Sequence, residues 1–551
     1  MHSIQFRKIL DSIQPSTKPA KTWLFTPYDQ LSDKIGPLSR ETPNSLGIIL
    51  IDSSWRWARR PYHKHRIAFS IANLRWFAIE QARRGVAVRY IETELPFRKV
   101  LYRIASQLGP LRVMEPAERE LRSEIEPLVR SGRLELIPHE GWLTSRKWFD
   151  IASRGAVWRM NAFYRFVRRK TEILMDKGKP ISGKYSFDKE NRLSWKGSPP
   201  SPSPPSFPMD VIKDEVIALV NERYARHPGG IAAESLPATL SDAELLWSWA
   251  KRECLANFGP YEDAMSLVSS GLFHTRISSL LNIHRIVPAQ IIEDVLDLDI
   301  PIASKEGFIR QILGWREYVY HVHRTTDGFR SCPAGEQTLL NSPGTGGYEN
   351  WSGHQWTAPL FDGDPDGGAA PNYLNSQNPL PPAFWGAESG LFCLDTVVES
   401  VWKESWSHHI TRLMVLSNIA SLLDVNPREL TDWFWVAYAD AYDWVVEPNV
   451  LGMGTYAVGN LMTTKPYIAG SAYINRMSDF CRECKFDPVS SCPITNLYWA
   501  FLERHKNALR NNPRMLTVYA ALSKRPDSLK VVDRQVYEKV LSKLCSGQPV
   551  E

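Results

Sequence analysis

The sequence predicts two domains of different class: an N-terminal open, parallel α/β domain and a larger, C-terminal all-α domain. Short apolar runs recur between residues 22 and 139, whereas strand patterns almost disappear between residues 209 and 524. The stretch "GSPPSPSPPSFP", residues 197–208, separates the two regions. A Pro/Ser-rich segment of this kind is extended rather than helical.

Five runs in the N-terminal region are predicted strands. They are "TWLF" (22–25), "LGIILID" (46–52), "VAVRYIE" (86–92), "LRVMEP" (111–116) and "LELIPH" (134–139). Several are apolar throughout, which is typical of a parallel sheet covered on both faces. Residues 63–85 between two of them have helical periodicity, and Gly85 is expected to end that helix.

The predicted organisation follows from these shifts in pattern. The boundaries are an N-terminal extension without assigned structure (1–20), the α/β domain (21–150), a connection with the Pro/Ser loop (151–208), the helical domain (209–530) and a final helix and tail (531–551). A Gly-, Pro- and Asn-rich insertion at about 330–382 interrupts the helical domain and is expected to be irregular.

Composition excludes some classes of protein. With 43% apolar and 23% charged residues, the 551-residue chain has the balance of a soluble globular protein. Seven cysteines are too few for a disulfide scaffold and fit a reducing compartment, so we expect a cytoplasmic protein. We find no apolar run long enough to cross a membrane, and we expect a monomer. The net charge of +6 permits an anionic partner without requiring one.

Three cysteines lie close together in "CRECKFDPVSSCP", residues 481–493. The spacing Cys481-x2-Cys484-x7-Cys492 predicts three ligands of a metal site, with a fourth from Cys254, Cys332, Cys393 or Cys545. Zinc and an iron–sulfur cluster both accept four thiolates, and spacing alone does not separate them. Buried thiols without a ligand are the third interpretation.

Longer motifs in the helical region decide among these alternatives. They are "FIRQILGWREY" (308–318), "SHHITRLMVLSN" (407–418), "YADAYDWVVEPNVLGM" (438–453), "TTKPYIAGSAYINRMSDFCRECKFDP" (463–488) and "NLYWAFLERH" (496–505). Together they resemble the iron–sulfur bacterial cryptochromes and prokaryotic (6-4) photolyases. The resemblance implies an α/β domain, a helical FAD domain and a [4Fe–4S] cluster whose fourth ligand is Cys393.

The resemblance also implies a flavin site. Its expected residues are Tyr261, His274, Thr275, Arg276, Ser278, Arg316 and Asp440. Hydroxyl, cationic and backbone donors in "LFHTRISSLLN" suit a pyrophosphate, although the same letters describe an ordinary capped helix start. Arg316 can pair with an acid in a buried site, and Asp440 is the expected residue beside the isoalloxazine. Taken alone, the two residues could equally form a structural ion pair.

The lesion pocket is assigned in the same way. The family match gives catalytic roles to His409, Tyr467 and Asp263, and DNA contacts to Asp188, Arg192, Met453 and Lys465. A protonated His409 can give a proton to a (6-4) lesion. Such repair requires the damaged dinucleotide to leave the duplex, so damaged DNA is the expected partner.

Three positions in two sites, the electron relay and the antenna pocket, depart from the family pattern. Trp385 and Trp433 match a relay that carries electrons to the flavin, but the tyrosine that follows the second tryptophan in the family is Phe434 here. In the antenna pocket, Tyr28 replaces a glycine and Arg56 replaces an acid. We therefore expect FAD with little or no lumazine.

Three functions remain open from the sequence. The first is light-driven repair of (6-4) photoproducts by electron transfer from excited, reduced FAD. The second is a cryptochrome photoreceptor for blue light that signals through flavin redox state to a partner which the sequence does not identify. The third is an iron–sulfur protein that binds nucleic acid without photochemistry.

Overall fold

The computed structural model describes residues 4–13, 20–155, 157–333, 338–342, 347–348 and 366–551. Its N-terminal part contains a parallel sheet in the order β3–β2–β1–β4–β5. The strands are Thr22–Phe25 (β1), Leu46–Ser53 (β2), Ala87–Thr93 (β3), Leu111–Met114 (β4) and Leu134–Ile137 (β5). All five predicted strands and the parallel α/β class are confirmed.

The strand order reverses between β1 and β4. At such a switch point, the segments that leave the carboxyl ends of the two strands diverge and open a crevice. Tyr28 follows β1 and Glu118 follows β4, so both lie at this edge. The helix Lys64–Arg83 covers the sheet, and Gly85 lies just beyond its end with φ of 90°, as predicted.

The N-terminal extension contains a helix that the sequence did not predict. Ile4–Ile13 is helical and buries Phe6 and Leu10. Its first free amides, Gln5 N and Phe6 N, donate to the carboxylate of Glu215 at 2.6 and 3.0 Å. Tertiary packing and a distant acid, rather than local propensity, therefore hold this segment.

The remaining helices of at least seven residues in the first 171 residues are Phe97–Leu108, Arg119–Arg130, Arg146–Ala152 and Met160–Thr171. Those that follow are Val211–Arg223, Leu240–Trp249, Pro288–Asp297, Ile302–Ile309, Glu317–Thr326, Phe392–Glu404, Pro427–Ala437, Ser471–Met477, Pro493–Arg504, Leu516–Ser523 and Asp527–Cys545. The helical class of the C-terminal region is thus confirmed.

Several helices contain a π-helical turn. These turns are Ala250–Cys254, Arg310–Arg316, Arg412–Ser417 and Pro448–Gly454. A π-helical turn changes the direction of the side chains that follow it and is frequent at functional sites. Across the described residues, no helix combines the length and the apolar character needed to cross a bilayer.

The Pro/Ser segment and the insertion are irregular where they are described. The hydroxyl of Tyr261 donates to Ser198 O at 3.1 Å, so the Pro/Ser segment lies against the chain that carries Asp263. Nearly half of the expected insertion lies outside the described residues, and its described parts include isolated bridges such as Leu340–Ala369. The proposed domain boundaries stay predictions.

Candidate functional site

Three histidines meet at the start of the helix that begins at His409. The rings of His274 and His408 stack with centroids 4.4 Å apart and planes 9° apart, and the ring of His409 stands 5.4 Å from that of His274. His274 and His408 are buried, whereas the His409 side chain is 43% exposed. His409 Nε2 lies 3.9 Å from Asp263 Oδ1. His409 is therefore the histidine of this set that faces solvent.

The two buried histidines are neutral. Burial, reinforced by the neighbouring histidines, lowers the pKa of His274 and of His408 well below the ordinary value. His274 Nε2 and His408 Nδ1 are buried without a hydrogen-bond partner among the described residues. Buried polar atoms are normally satisfied, so these two nitrogens mark a place for a polar ligand.

The histidine set offers one nitrogen each within 4.8 Å of one another. A metal binds imidazole along the lone pair, which lies in the ring plane. The stacked rings of His274 and His408 hold their lone pairs in parallel planes, so these two do not converge on one ion. The arrangement suits a pocket wall better than a metal site.

A second group of charges lines the mouth of this pocket. Arg192 lies 2.5 Å from Asp188 Oδ2 and 3.7 Å from Asp263 Oδ2. Arg310 contacts Asp188 at 3.1 Å from the buried side. Burial raises the pKa of Asp188, but Arg310 and Arg192 outweigh that effect and hold it below the ordinary value. Asp188, Arg192, Asp263 and His409 therefore lie together in one group of charged side chains, here called the rim, and their assignment to a lesion pocket stays a prediction.

Tyr467 also borders the rim. Burial, and then the charge of Asp188, raises the pKa of the Tyr467 phenol, so it stays a neutral donor. Lys465, two residues earlier, is exposed. Met453 is half-buried in the π-helical turn Pro448–Gly454. These placements are compatible with the predicted roles and do not test them.

The predicted flavin-phosphate segment folds beside the histidines. Ser278 begins the helix Ser278–Asn282, and its hydroxyl is buried without a partner among the described residues. Thr275 is buried next to His274. Asn282 Nδ2 donates to Asp440 O at 2.9 Å, which ties this segment to Asp440.

The alternative interpretation of Arg316 and Asp440, a structural ion pair between the two, is wrong. Arg412 binds Asp440 through two hydrogen bonds of 3.0 and 2.9 Å. The guanidinium of Arg316 instead lies 4.2 Å from the ring centroid of Trp142, and 3.5 Å from Glu317. Arg412 stands four residues beyond His408 in "HHITR", so its position on the motif helix could have indicated it.

Two other predicted flavin residues, Arg276 and Tyr261, contact other side chains of the protein. Arg276 pairs with Glu404 at 2.6 Å and lies 4.3 Å above Trp406. Tyr261 packs on Phe273, with centroids 5.3 Å apart. Arg276 thus links the flavin-phosphate segment to the helix Phe392–Glu404, and its charge is largely balanced by Glu404.

A third tryptophan, Trp402, contacts both of the predicted relay tryptophans. Trp402 stacks on Trp385 with centroids 5.4 Å apart and contacts Trp433 edge-on at 6.1 Å. Sequence reasoning missed Trp402, which occupies an unremarkable place in an amphipathic helix. Phe434 packs against Trp433 at 5.1 Å.

The four predicted cysteine ligands line a single cavity. Cys393, Cys481, Cys484 and Cys492 face it together with apolar side chains such as Phe480. Burial, and then repulsion from the other three thiols, raises the pKa of Cys393 well above the ordinary value. Among the described residues, three ligand atoms lie within 4.8 Å of one another only in the histidine set, so no three of these sulfurs are that close.

A known photolyase is similar in sequence to almost the whole of this chain. A (6-4) photolyase of Agrobacterium fabrum is 30% identical over 537 residues, which cover 91% of this chain and 95% of the relative. The chain belongs to the (6-4) photolyase family, within the photolyases and cryptochromes. A family model described as deoxyribodipyrimidine photo-lyase-related protein matches residues 24–236.

Solved structures share the fold of this photolyase-family chain. A bacterial class III photolyase from Agrobacterium tumefaciens aligns over 96% of this chain and 100% of its own, with a TM-score of 0.53 and 14% identity. A cryptochrome from Synechocystis aligns over 95% and 100%, with a TM-score of 0.51 and 13% identity. Photolyases and cryptochromes thus share this architecture.

The edge crevice of this photolyase-family chain is filled by its own side chains. The hydroxyl of Tyr28 donates to Glu118, and the guanidinium of Arg56 lies 3.5 Å above the Tyr28 ring and 3.6 Å from Glu118. All three are buried. Asp29, also buried there, has its pKa raised by burial to about 7. The phenol, the guanidinium and the Glu118 carboxylate thus pack on one another at this edge of the sheet.

Proposed function

We propose that this protein repairs (6-4) pyrimidine–pyrimidone photoproducts in DNA with light, through excited, reduced FAD. The supporting observation is the place of His409, which is exposed beside the buried His274 and His408 and stands 3.9 Å from Asp263. Behind it lie unpartnered polar atoms of His274 and His408. An open, polar pocket with a solvent-facing acid–base group is what a flipped-out base needs.

Each residue of this group has a different role in the proposed repair reaction. His409 donates a proton to the lesion, and the carboxylate of Asp263, 3.9 Å from its Nε2, helps to orient the imidazole. Tyr467 supplies a neutral hydrogen-bond donor from the rim. Arg192 and Lys465 hold phosphates of the damaged strand, while Asp188 orients Arg192.

FAD fits the space beside the histidines. Ser278, Thr275 and the unpartnered nitrogen of His274 would hold its polar groups, and the Arg412–Asp440 pair would lie beside the ring system. When bound, reduced FAD supplies one electron on illumination.

A [4Fe–4S] cluster fits the cysteine cavity. A tetrahedral zinc site with Zn–S bonds of about 2.3 Å would bring its thiolates to within roughly 3.8 Å of one another. No three of the four sulfurs lie within 4.8 Å of one another. Wider spacing favours a cluster, in which each cysteine binds a different iron.

A direct test uses chemically reduced protein, an oligonucleotide with one defined (6-4) photoproduct, and timed blue illumination. We expect light-dependent restoration of the two pyrimidines and none in the dark. A matched oligonucleotide with a cyclobutane dimer tests lesion choice. The absorption spectrum of the purified protein must show flavin bands, since their absence would favour an iron–sulfur nucleic-acid-binding protein without photochemistry.

A cryptochrome photoreceptor is the second candidate. Phe434 in the relay position and the filled edge crevice both favour it, because they are departures from the family pattern of a light-collecting repair enzyme. A flavin that photocycles in reduced protein without any repair would support this candidate over the enzyme.

A further inference from the structure

Three indole rings form one connected unit in the helical domain. Trp402 contacts Trp385 at 5.4 Å and Trp433 at 6.1 Å between centroids. The indole N–H groups of Trp402 and Trp433 both donate to Phe384 O, at 2.9 and 2.8 Å. One carbonyl therefore fixes the two rings relative to each other.

Exposure changes along this unit. Trp433 and Trp385 are 0% and 6% exposed, respectively, whereas Trp402 is only partly buried. Electron hopping between aromatic rings falls steeply with distance, so rings in contact form an efficient route. The route leads from the core to a ring that reaches solvent.

Other neighbours of Trp433 are poorer donors. Phe434 is far harder to oxidise than tyrosine or tryptophan. Tyr438 lies 6.0 Å from Trp433, but the guanidinium of Arg412 lies 4.0 Å above its ring. Burial raises the pKa of Tyr438, so its phenol does not shed a proton readily. A cation over the ring also opposes its oxidation.

The Trp402 ring differs from the Tyr438 ring in its neighbour, because a histidine rather than an arginine stacks on it. His63 stacks on Trp402 with centroids 5.6 Å apart and planes 8° apart, and His63 Nε2 donates to Trp402 O at 3.0 Å. Burial lowers the pKa of His63 to about 3, so the imidazole is neutral. A neutral ring in parallel contact does not repel a positive charge on the indole.

We propose that Trp402 is the surface-facing electron donor that takes the place of the tyrosine missing at Phe434. The proposal rests on the flavin function proposed above. An electron leaves Trp385 or Trp433 for the photo-excited, oxidised flavin, and Trp402 reduces the resulting indole radical cation. The Trp402 Nε1–H stays bonded to Phe384 O, so the oxidised ring remains a radical cation until an external thiol reduces it; the thiol gives one electron to the indole, releases its proton to solvent and leaves as a thiyl radical.

The test compares wild type with Trp402→Phe and Trp402→Tyr. Trp499→Phe is the matched control. Trp499 is also a partly buried tryptophan, and it lies in the helix Pro493–Arg504 beneath the guanidinium of Arg525. Each protein is illuminated in its oxidised form with thiol, and the radical is identified by transient absorption and by electron paramagnetic resonance. Flavin content and thermal unfolding show whether each variant is folded.

Trp402→Phe should lose the long-lived, solvent-quenched tryptophan radical and most of the photoreduction by thiol. Trp402→Tyr should recover photoreduction with a tyrosyl signature, and Trp499→Phe should match wild type. Repair by chemically reduced Trp402→Phe should be unchanged, so a failure of repair in all proteins concerns the proposed function and not Trp402. An unchanged radical in a folded Trp402→Phe or Trp402→Tyr protein would overturn the proposal, as would its loss in Tyr438→Phe alone.

Discussion

The crevice at the carboxyl edge of the sheet and the cavities of the helical domain differ in what fills them. In the crevice, Tyr28, Arg56 and Glu118 are buried and pack on one another. In the histidine pocket, buried nitrogens of His274 and His408 lack partners among the described residues. The first region has been closed by large side chains, while the second keeps the unmet polar groups of a binding site.

The sheet-edge crevice corresponds to light collection in this family, and the histidine site corresponds to the chemical reaction. Both regions belong to one family architecture, yet departures from the family pattern concentrate at the crevice and at Phe434, away from His409. A chain that keeps its reaction pocket and fills its antenna crevice is expected to absorb light through the flavin alone.

The cysteine cavity should respond most strongly. Cys393→Ser should lose all the iron and destabilise the C-terminal helices, because the proposed cluster would join the helix Phe392–Glu404 to the segment 481–492. Iron and zinc are measured by elemental analysis, and unfolding by circular dichroism. Cys545→Ser, at the end of the last helix, is the control and should keep its iron. Full iron content in Cys393→Ser, or zinc in wild type, would contradict the ligand assignment.

The Arg412–Asp440 pair should matter next. Arg412→Ala leaves a buried carboxylate without its partner, which costs about 3–5 kcal/mol, and we expect FAD to be lost on purification. Arg316→Gln is the informative contrast, because Arg316 lies beneath Trp142 instead. It should lower stability but keep stoichiometric flavin. Flavin released on denaturation is the measurement, and the reverse result would restore the pairing predicted from sequence.

The rim should affect DNA affinity rather than chemistry. Arg192→Ala should weaken binding of damaged DNA about equally for all flanking sequences and lower the salt-dependence slope by about 1. Lys539→Ala removes an exposed cation from the last helix and should leave the slope unchanged. Binding is measured by fluorescence anisotropy across a salt series. Equal salt-dependence slopes for Arg192→Ala and wild type would show that Arg192 does not contact DNA phosphates.

The edge crevice should give the smallest effect. Wild type should release FAD but no stoichiometric lumazine on denaturation, and Tyr28→Gly should gain lumazine affinity only weakly while Arg56 remains. Fluorescence of the released chromophores measures both. Stoichiometric lumazine from wild type would show that the crevice is open despite Tyr28 and Arg56.

The sequence predicted what local pattern determines and missed what distant partners determine. The five strands and the end at Gly85 follow from apolar runs and backbone preference. The helix Ile4–Ile13 depends on Glu215, more than 200 residues away, and no local pattern shows that contact. The partner of Asp440 and the place of Trp402 likewise follow from how helices cross, which the motifs do not record.

The repair activity of His409→Ala tests the central claim most directly. The reduced variant and reduced wild type are illuminated with the same (6-4) oligonucleotide, and restored pyrimidines are counted against time. General acid–base catalysis is worth about 10² to 10⁴ in rate, so the variant should retain FAD, iron and lesion affinity yet lose nearly all repair. Repair at the wild-type rate by His409→Ala would contradict the claim that this histidine carries the chemistry.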